Sequence, residues 1–248
     1  MADHFQLRLA ESRMLAPAVR HMAFERADGA PFAFLPGQFV QIHFNYPDGK
    51  PTKRSYSVAT IGVGDGSPVP RIEIAVSYVE GGAATNLLAN LPQGGTIDAS
   101  GPYGRFCLDD KDANRRYLLV ATGTGVTPYR AMLPQLEKLA ARGAEVALVY
   151  GARNEAELLY AEEFEAFARK NPHFRFFACF SRTARAQPRA HDRNGRVQVA
   201  LAELKPDAAH DIAYLCGNPD MVDECFTMLK EAGLPVPHVR REKYVSSR

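Results

Sequence analysis

Nine consecutive residues constrain this chain more than any others: Val120-Ala121-Thr122-Gly123-Thr124-Gly125-Val126-Thr127-Pro128. The run at 117–121 is apolar throughout, as in a parallel strand buried on both faces. A helix start follows it. Thr127 is expected to cap, and Pro128 suits a first turn that does not need its missing N–H. Two glycines between strand and helix permit a tight turn and a close backbone approach to a ligand. Unpaired N–H groups and the positive dipole end then face that ligand, so the stretch reads as a pyrophosphate cradle. The same residues also fit a Gly-rich turn without a ligand. The third glycine of the common dinucleotide fingerprint is absent, and no acid is clearly placed about 20 residues on.

The pattern after this stretch alternates strands and helices. Strands are expected at 117–121, 146–150, 174–180 and 212–216. Helices are expected at 128–141, kinked or divided by Pro134, and at 155–170, 197–204 and 219–232. The last has Asn218 to cap it, Pro219 to start it, and Gly233 with Pro235 to end it. Such alternation implies a parallel sheet with helices on both faces, and ligands beyond the C-terminal strand ends. Those ends carry Thr122-Gly123, Gly151-Ala152-Arg153, Ser181-Arg182 and Cys216-Gly217-Asn218-Pro219.

The residues before about 108 read differently. Period-two alternation at 39–44 and 72–76, punctuated by Pro–Gly and Gly–Gly turns, suggests a small antiparallel barrel. Arg54-Ser55-Tyr56-Ser57 places Arg54 and Tyr56 on one strand face. It is either a phosphate clamp beside a ring platform, or a strand with one exposed arginine and a half-buried tyrosine. In Gly81-Gly82-Ala83-Ala84-Thr85-Asn86, Thr85 is expected to cap a short helix, with or without an anion at its end.

Charge is uneven although the net value is only +2. Between 174 and 197 there are six arginines and a single acid, Asp192. This is either a solvated basic loop or a pocket for an extra phosphate, with Ser181 and Arg182 at its mouth. Four scattered cysteines form no C-x-x-C pair, which argues against a zinc site and a cysteine-ligated iron–sulfur cluster in this chain, and no metal site is expected. No apolar run approaches 18 residues, and the N-terminus lacks signal-peptide order, so a cytoplasmic location without membrane or nucleic-acid binding is expected.

Taken together, these pieces resemble the ferredoxin–NADP⁺ reductase family, especially its bacterial flavodoxin/ferredoxin reductases. The matching motifs occur in family order: Arg54-Ser55-Tyr56-Ser57, Gly82-Ala83-Ala84-Thr85-Asn86, Gly101-Pro102-Tyr103-Gly104-Arg105-Phe106, Gly123-Thr124-Gly125-Val126-Thr127-Pro128, Tyr150-Gly151-Ala152-Arg153 and Cys216-Gly217-Asn218-Pro219-Asp220-Met221. Glu242-Lys243-Tyr244 extends the match almost to the end. The resemblance implies two domains. Residues 1–110 form an antiparallel β-barrel that binds FAD, and 111–248 a parallel-sheet α/β domain that binds NADP(H), with a C-terminal tail returning to the flavin. It implies a monomer that passes electrons from NADPH through FAD to ferredoxin or flavodoxin.

The resemblance also implies residue roles. Arg54, Ser55, Tyr56, Ser57, Val76, Gly82, Ala84, Thr85, Thr124 and Thr127 fall to FAD and the nicotinamide side, with Arg54 on the pyrophosphate, Tyr56 on one flavin face and Ser57 at the N5 edge. Gly123, Gly125, Arg153, Ser181, Arg182 and Asn218 fall to NADP. Cys216 lines the nicotinamide side, Glu242 handles a proton, and Tyr244 covers the flavin face as a gate. The chain departs from relatives that end on an aromatic residue, because Val245-Ser246-Ser247-Arg248 follows. Two other readings stay open: an NADH-dependent reductase component of an oxygenase, and a non-catalytic flavin-binding electron-transfer subunit.

Overall fold

The computed structural model describes residues 3–109 and 111–245. The chain divides into two compact units, one running to Leu108 and taking in Thr127–Pro134, the other comprising Asp109–Val126 and Gln135–Val245.

The first unit is a six-stranded antiparallel sheet. Its strands are β1 (Asp3–Ala16), β2 (Val19–Arg26), β3 (Phe39–Asn45), β4 (Pro51–Ser57), β5 (Ile72–Ser77) and, after helix α1 (Ala83–Ala89), β6 (Thr96–Tyr103). The order is β4-β3-β6-β1-β2-β5. A bridge from Val58 to Ile74 joins the two outer strands and closes the barrel. Alternation decides the inward face: Phe5, Leu7 and Leu9 are buried on β1 while Gln6 and Arg8 face out. These side chains meet Val40, Ile42, Ile72, Ile74 and Leu88 in one core. Thr127–Pro134 packs here through Arg130, which donates to the Ala59 carbonyl and pairs with Glu73.

The second unit contains β7 (Arg116–Thr122), a 3₁₀ turn (Gly123–Val126), α2 (Thr127–Ala131), α3 (Leu133–Ala141), β8 (Glu145–Ala152), α4 (Ala161–Lys170), β9 (Phe174–Phe180), β10 (Arg193–Asn194), α5 (Val197–Glu203), β11 (Asp211–Gly217), α6 (Pro219–Glu231) and β12 (Val239–Lys243), apart from the residues of α2 and the start of α3 that belong with the barrel. Every pairing in the sheet β10-β9-β8-β7-β11-β12 is parallel. β11 is buried along its whole length, and the fully buried Asp211 at its start takes two charge-assisted hydrogen bonds, 2.8 and 2.6 Å, from Arg116.

Several helix ends differ from expectation. Helical winding begins at Gly123, four residues ahead of Thr127, so Thr127 lies inside the helical segment, and its buried hydroxyl has no partner among the described residues. Thr85 does not cap α1; Gly82 holds that position, and the Thr85 hydroxyl turns inward to accept from the Val79 N–H at 3.4 Å. The helix expected from 155 is a single 3₁₀ turn at Glu155–Glu157, and the α-helix proper starts at Ala161 after Tyr160 in the left-handed region. Pro134 divides the 128–141 segment as expected, with the break at Met132.

Asn218 does cap α6. Its side-chain oxygen accepts from Asp220 N at 2.9 Å and Met221 N at 3.2 Å. Asn218→Ala is expected to destabilise the second unit by about 1 kcal/mol, lowering Tm by roughly 2–4 °C in a thermal melt. An unchanged Tm would show that water replaces the cap without loss.

Candidate functional site

On the barrel, β4 alternates half-buried Thr52, Arg54 and Tyr56 with exposed Pro51, Lys53 and Ser55. Arg54 therefore stands on the same face as Tyr56, two residues on. Its guanidinium donates to the Tyr46 hydroxyl at 2.8 Å, Thr52 Oγ1 at 3.1 Å and the Lys53 carbonyl at 2.9 Å. Three of its five donors are engaged, which leaves two for an anion. Burial pushes the Tyr56 phenol up to about 12, so its ring stays neutral. Ser57 is buried at the strand end, and Val76 is buried on β5. α1 opens at Gly82 with no side-chain cap, so the first N–H groups of Ala83, Ala84 and Thr85 are not used by the helix. A Cβ on Gly82 would lie 3.0 Å from the Val79 carbonyl oxygen, so the turn is built for glycine.

In the second unit the loop after β7 is shaped by close backbone contact. A Cβ on Gly125 would sit 2.2 Å from the Cys216 carbonyl oxygen, and one on Gly217 would sit 2.6 Å from the Thr122 carbonyl oxygen. The two loops interlock because neither carries a side chain there. Thr122 Oγ1 accepts from Asn218 N at 3.0 Å and ties them further. Tyr150, fully buried, donates to the Gly123 carbonyl at 3.0 Å and accepts from Leu159 N at 3.1 Å. Gly123 itself has φ +54° and room for a Cβ, and Thr124 is half-exposed.

Cys216 lies at the C-terminal end of β11, fully buried and in register with Ala121 on one side and Glu242 on the other. Burial, then the Glu242 charge, raises its thiol well above the ordinary value; a hydrogen bond from the Tyr244 side chain opposes this. Cys216 is therefore a neutral thiol at physiological pH. The Tyr244 N–H donates to the Gly217 carbonyl at 2.8 Å, continuing the β11–β12 pairing and placing Tyr244 beside the strand end. Val245 is exposed; Ser246, Ser247 and Arg248 lie outside the described residues.

The basic stretch is not a free positive surface. Arg175 pairs with Glu145, Arg185 with Glu155, Glu165 and Asp192, Arg189 with Glu165, Arg193 with Glu203, and Arg196 with Glu224. Among the described residues the Arg182 guanidinium alone of these six has no carboxylate partner. Ser181 and Arg182 are exposed, and their N–H groups donate to the Ala152 and Arg153 carbonyls at 3.0 and 3.1 Å. Arg153 is held by Glu157 at 2.6 Å.

These features fit the two expected ligands: a clamp with spare donors on the barrel, and an interlocked glycine loop in the second unit. Among the described residues no three His, Cys, Asp or Glu side chains could hold a metal, and no helix is long and apolar enough to cross a membrane. Sequence reasoning gave no role to Tyr150, Thr122 or Gly217. Tyr150 stood inside a recognised motif, but only the fold reveals that its hydroxyl supports Gly123.

Comparison with known proteins agrees with this geometry. Residues 6–107 match the model of the oxidoreductase FAD-binding domain, and 119–226 that of the oxidoreductase NAD-binding domain. The chain is 39% identical to ferredoxin–NADP reductase B of Sorangium cellulosum, over 98% of each protein. It is 28% identical to the toluate 1,2-dioxygenase electron transfer component of Pseudomonas putida, over 98% of this chain and 68% of that protein. Among solved structures, an Amycolatopsis cytochrome P450 reductase matches with a TM-score of 0.82 at 29% identity, over 98% of this chain and 70% of that one. A ferredoxin–NADP⁺ reductase from Neisseria gonorrhoeae with bound FAD and NADP matches the fold with a TM-score of 0.82 at 20% identity, over 97% and 98% of the two chains. With its two cofactor-binding halves and a relative this similar from end to end, the chain belongs to the ferredoxin–NADP⁺ reductase family of flavoprotein oxidoreductases.

Proposed function

We propose that this protein passes electrons between NADPH and a small one-electron carrier, a ferredoxin or flavodoxin, through FAD. The observation that carries the choice of NADPH is the exposed Arg182 beside Ser181 at the end of β9, which has no carboxylate partner among the described residues. The name of the Sorangium relative supports the carrier class. Hydride and electron transfer are the flavin's chemistry, and the chain supplies binding and orientation. Arg54 holds the pyrophosphate with its spare donors, assisted by the N–H groups of Ala84 and Thr85 beyond the Gly82 turn, while Ser55 stands on the other face of the strand. Tyr56 offers a neutral ring to one flavin face, with Ser57 and Val76 at its edge. Gly123, Thr124, Gly125, Thr127 and Asn218 shape the nucleotide loop, and Arg153 flanks it. Cys216 forms a small uncharged wall beside the nicotinamide, and Glu242 exchanges a proton with solvent.

The test is anaerobic bleaching of the bound flavin by NADPH and by NADH, followed by steady-state rates with ferredoxin and flavodoxin. Fast bleaching by NADPH and slow bleaching by NADH supports the proposal. The reverse supports a reductase component for an oxygenase, a reading favoured by the Pseudomonas and Amycolatopsis relatives, although this chain spans only 68% and 70% of their lengths. Carrier rates are expected to fall as salt rises, because steering of acidic carriers is screened over about 8–10 Å. Lys53 is the leading docking candidate, since Lys50 is drawn to Asp48 at 3.2 Å and Arg71 to Glu25 at 3.1 Å.

Tyr244 is proposed as a displaceable cover for the flavin face. A stacked ring is worth about 0.5–1.5 kcal/mol beyond its burial, so Tyr244→Ser should tighten NADP⁺ binding by about two- to tenfold and shift the flavin absorbance. Unchanged affinity together with an unchanged spectrum would make Tyr244 a purely structural partner of Cys216.

A further inference from the structure

The stretch from Ser181 to Asp192 leaves the sheet at β9 and returns at β10, with no helix or strand of its own. Its start is held by the backbone bonds of Ser181, Arg182 and Thr183 to the Ala152 and Arg153 carbonyls. Its end is closed by Asp192, which accepts from Arg189 N at 2.9 Å while its own N–H donates to the Arg189 carbonyl at 3.0 Å. The middle is held by one buried cation. The Arg185 side chain is only 3% exposed and lies over the Phe180 ring, 5.5 Å from its centroid. It pairs with Glu155 at 2.8 Å, Glu165 at 3.2 Å and Asp192 at 3.5 Å. These three carboxylates come from the 3₁₀ turn after β8, from α4 and from the loop's own far end. No helix or strand interior requires a guanidinium here.

We propose that Arg185 is the positioning residue for nucleotide selectivity: by tying three carboxylates from three segments to one buried guanidinium, it holds the Ser181–Arg182 turn ready for an adenosine 2′-phosphate. The proposal rests on the assignment of Arg182 to that phosphate. Arg185 does not touch the ligand; its burial keeps it from solvent. It acts by removing an ordering cost that Arg182 otherwise meets on binding, as any preorganised contact does. Its effect is therefore specific to ligands that carry the 2′-phosphate.

The experiment compares two probes that differ only in that phosphate, adenosine 2′,5′-bisphosphate and 5′-AMP, by calorimetric titration into the FAD-loaded full-length protein. Arg182→Ala, Arg185→Met and the double variant are titrated with both, and flavin content and Tm are recorded for each. Arg185→Met is expected to weaken the bisphosphate by about tenfold and 5′-AMP by less than about twofold. In the Arg182→Ala background the same change is expected to have no further effect, because the residue through which it acts is gone. An effect of Arg185→Met that is equal for both probes, that is absent, or that adds in full to that of Arg182→Ala overturns the positioning role while leaving the Arg182 assignment intact. An Arg182→Ala variant that binds both probes like the parent overturns the assignment and the proposal with it. If Arg185→Met does not fold, Glu155→Gln decides, since it removes a 52%-exposed partner and leaves the buried cation paired. A bisphosphate-specific loss of about two- to fivefold in Glu155→Gln supports the proposal, and no loss overturns it.

Discussion

Gly125→Ala is expected to yield a protein that retains FAD but binds NADP⁺ at least about 100-fold more weakly. The added Cβ would lie 2.2 Å from the Cys216 carbonyl oxygen, 2.6 Å from its carbon and 2.7 Å from the Gly217 Cα. All three are backbone atoms of a strand paired on both sides, so no side chain can swing away to make room. The 3₁₀ turn must instead lift off β11 by roughly an ångström, which carries out of place the N–H groups proposed to meet the phosphates. Overpacking of this kind costs about 1–3 kcal/mol, so a lower Tm should accompany the lost binding. Gly123→Ala is the control. Its Cβ meets nothing within 4 Å, and the left-handed φ of +54° costs only about 1–2 kcal/mol. NADP⁺ affinity in Gly125→Ala within about twofold of the parent would show that the interlock with Cys216 does not shape the nucleotide loop.

Arg182→Ala is expected to raise KM for NADPH by about ten- to hundredfold and to leave KM for NADH within about twofold. A charged hydrogen bond to a phosphate is worth about 1.5–3 kcal/mol, which corresponds to that range. The selectivity follows from the neighbours. Arg185, Arg189, Arg193 and Arg196 are each paired with a carboxylate, so none of them is expected to replace the lost charge without first breaking an ion pair. The loss should also shrink as salt rises, because Arg182 is exposed. Equal changes in KM for both nucleotides would remove Arg182 from the phosphate and leave it a solvated loop residue.

Local interactions were legible in the sequence because neighbouring residues complete them. Asn218 caps α6 with N–H groups two and three residues away, and Pro134 breaks the 128–141 segment through its own missing N–H. The apolar runs at 117–121 and 212–216 became the paired β7 and β11, because a strand buried on both faces must be apolar throughout. The alternation of Phe5, Leu7 and Leu9 that becomes β1 is equally readable in the sequence. β12 offered no such signal: Arg240, Arg241, Glu242 and Lys243 become a strand only because β11 has a free edge for them.

The amino-acid sequence by itself determined a barrel followed by a parallel nucleotide-binding sheet, with its glycine loop after the first strand. Those features depend on periodicity and on residues within a few positions of one another. Only the tertiary structure decided where the hydroxyls and charges went. Thr127 and Thr85 lost their capping roles because winding began at Gly123 and at Ala83, upstream of both. The arginines after 174 found Glu145, Glu155, Glu165, Glu203 and Glu224 on other segments, leaving Arg182 without a carboxylate among the described residues. Ion pairing depends on distance in space, and the acids that neutralise this stretch lie up to 30 residues away along the chain.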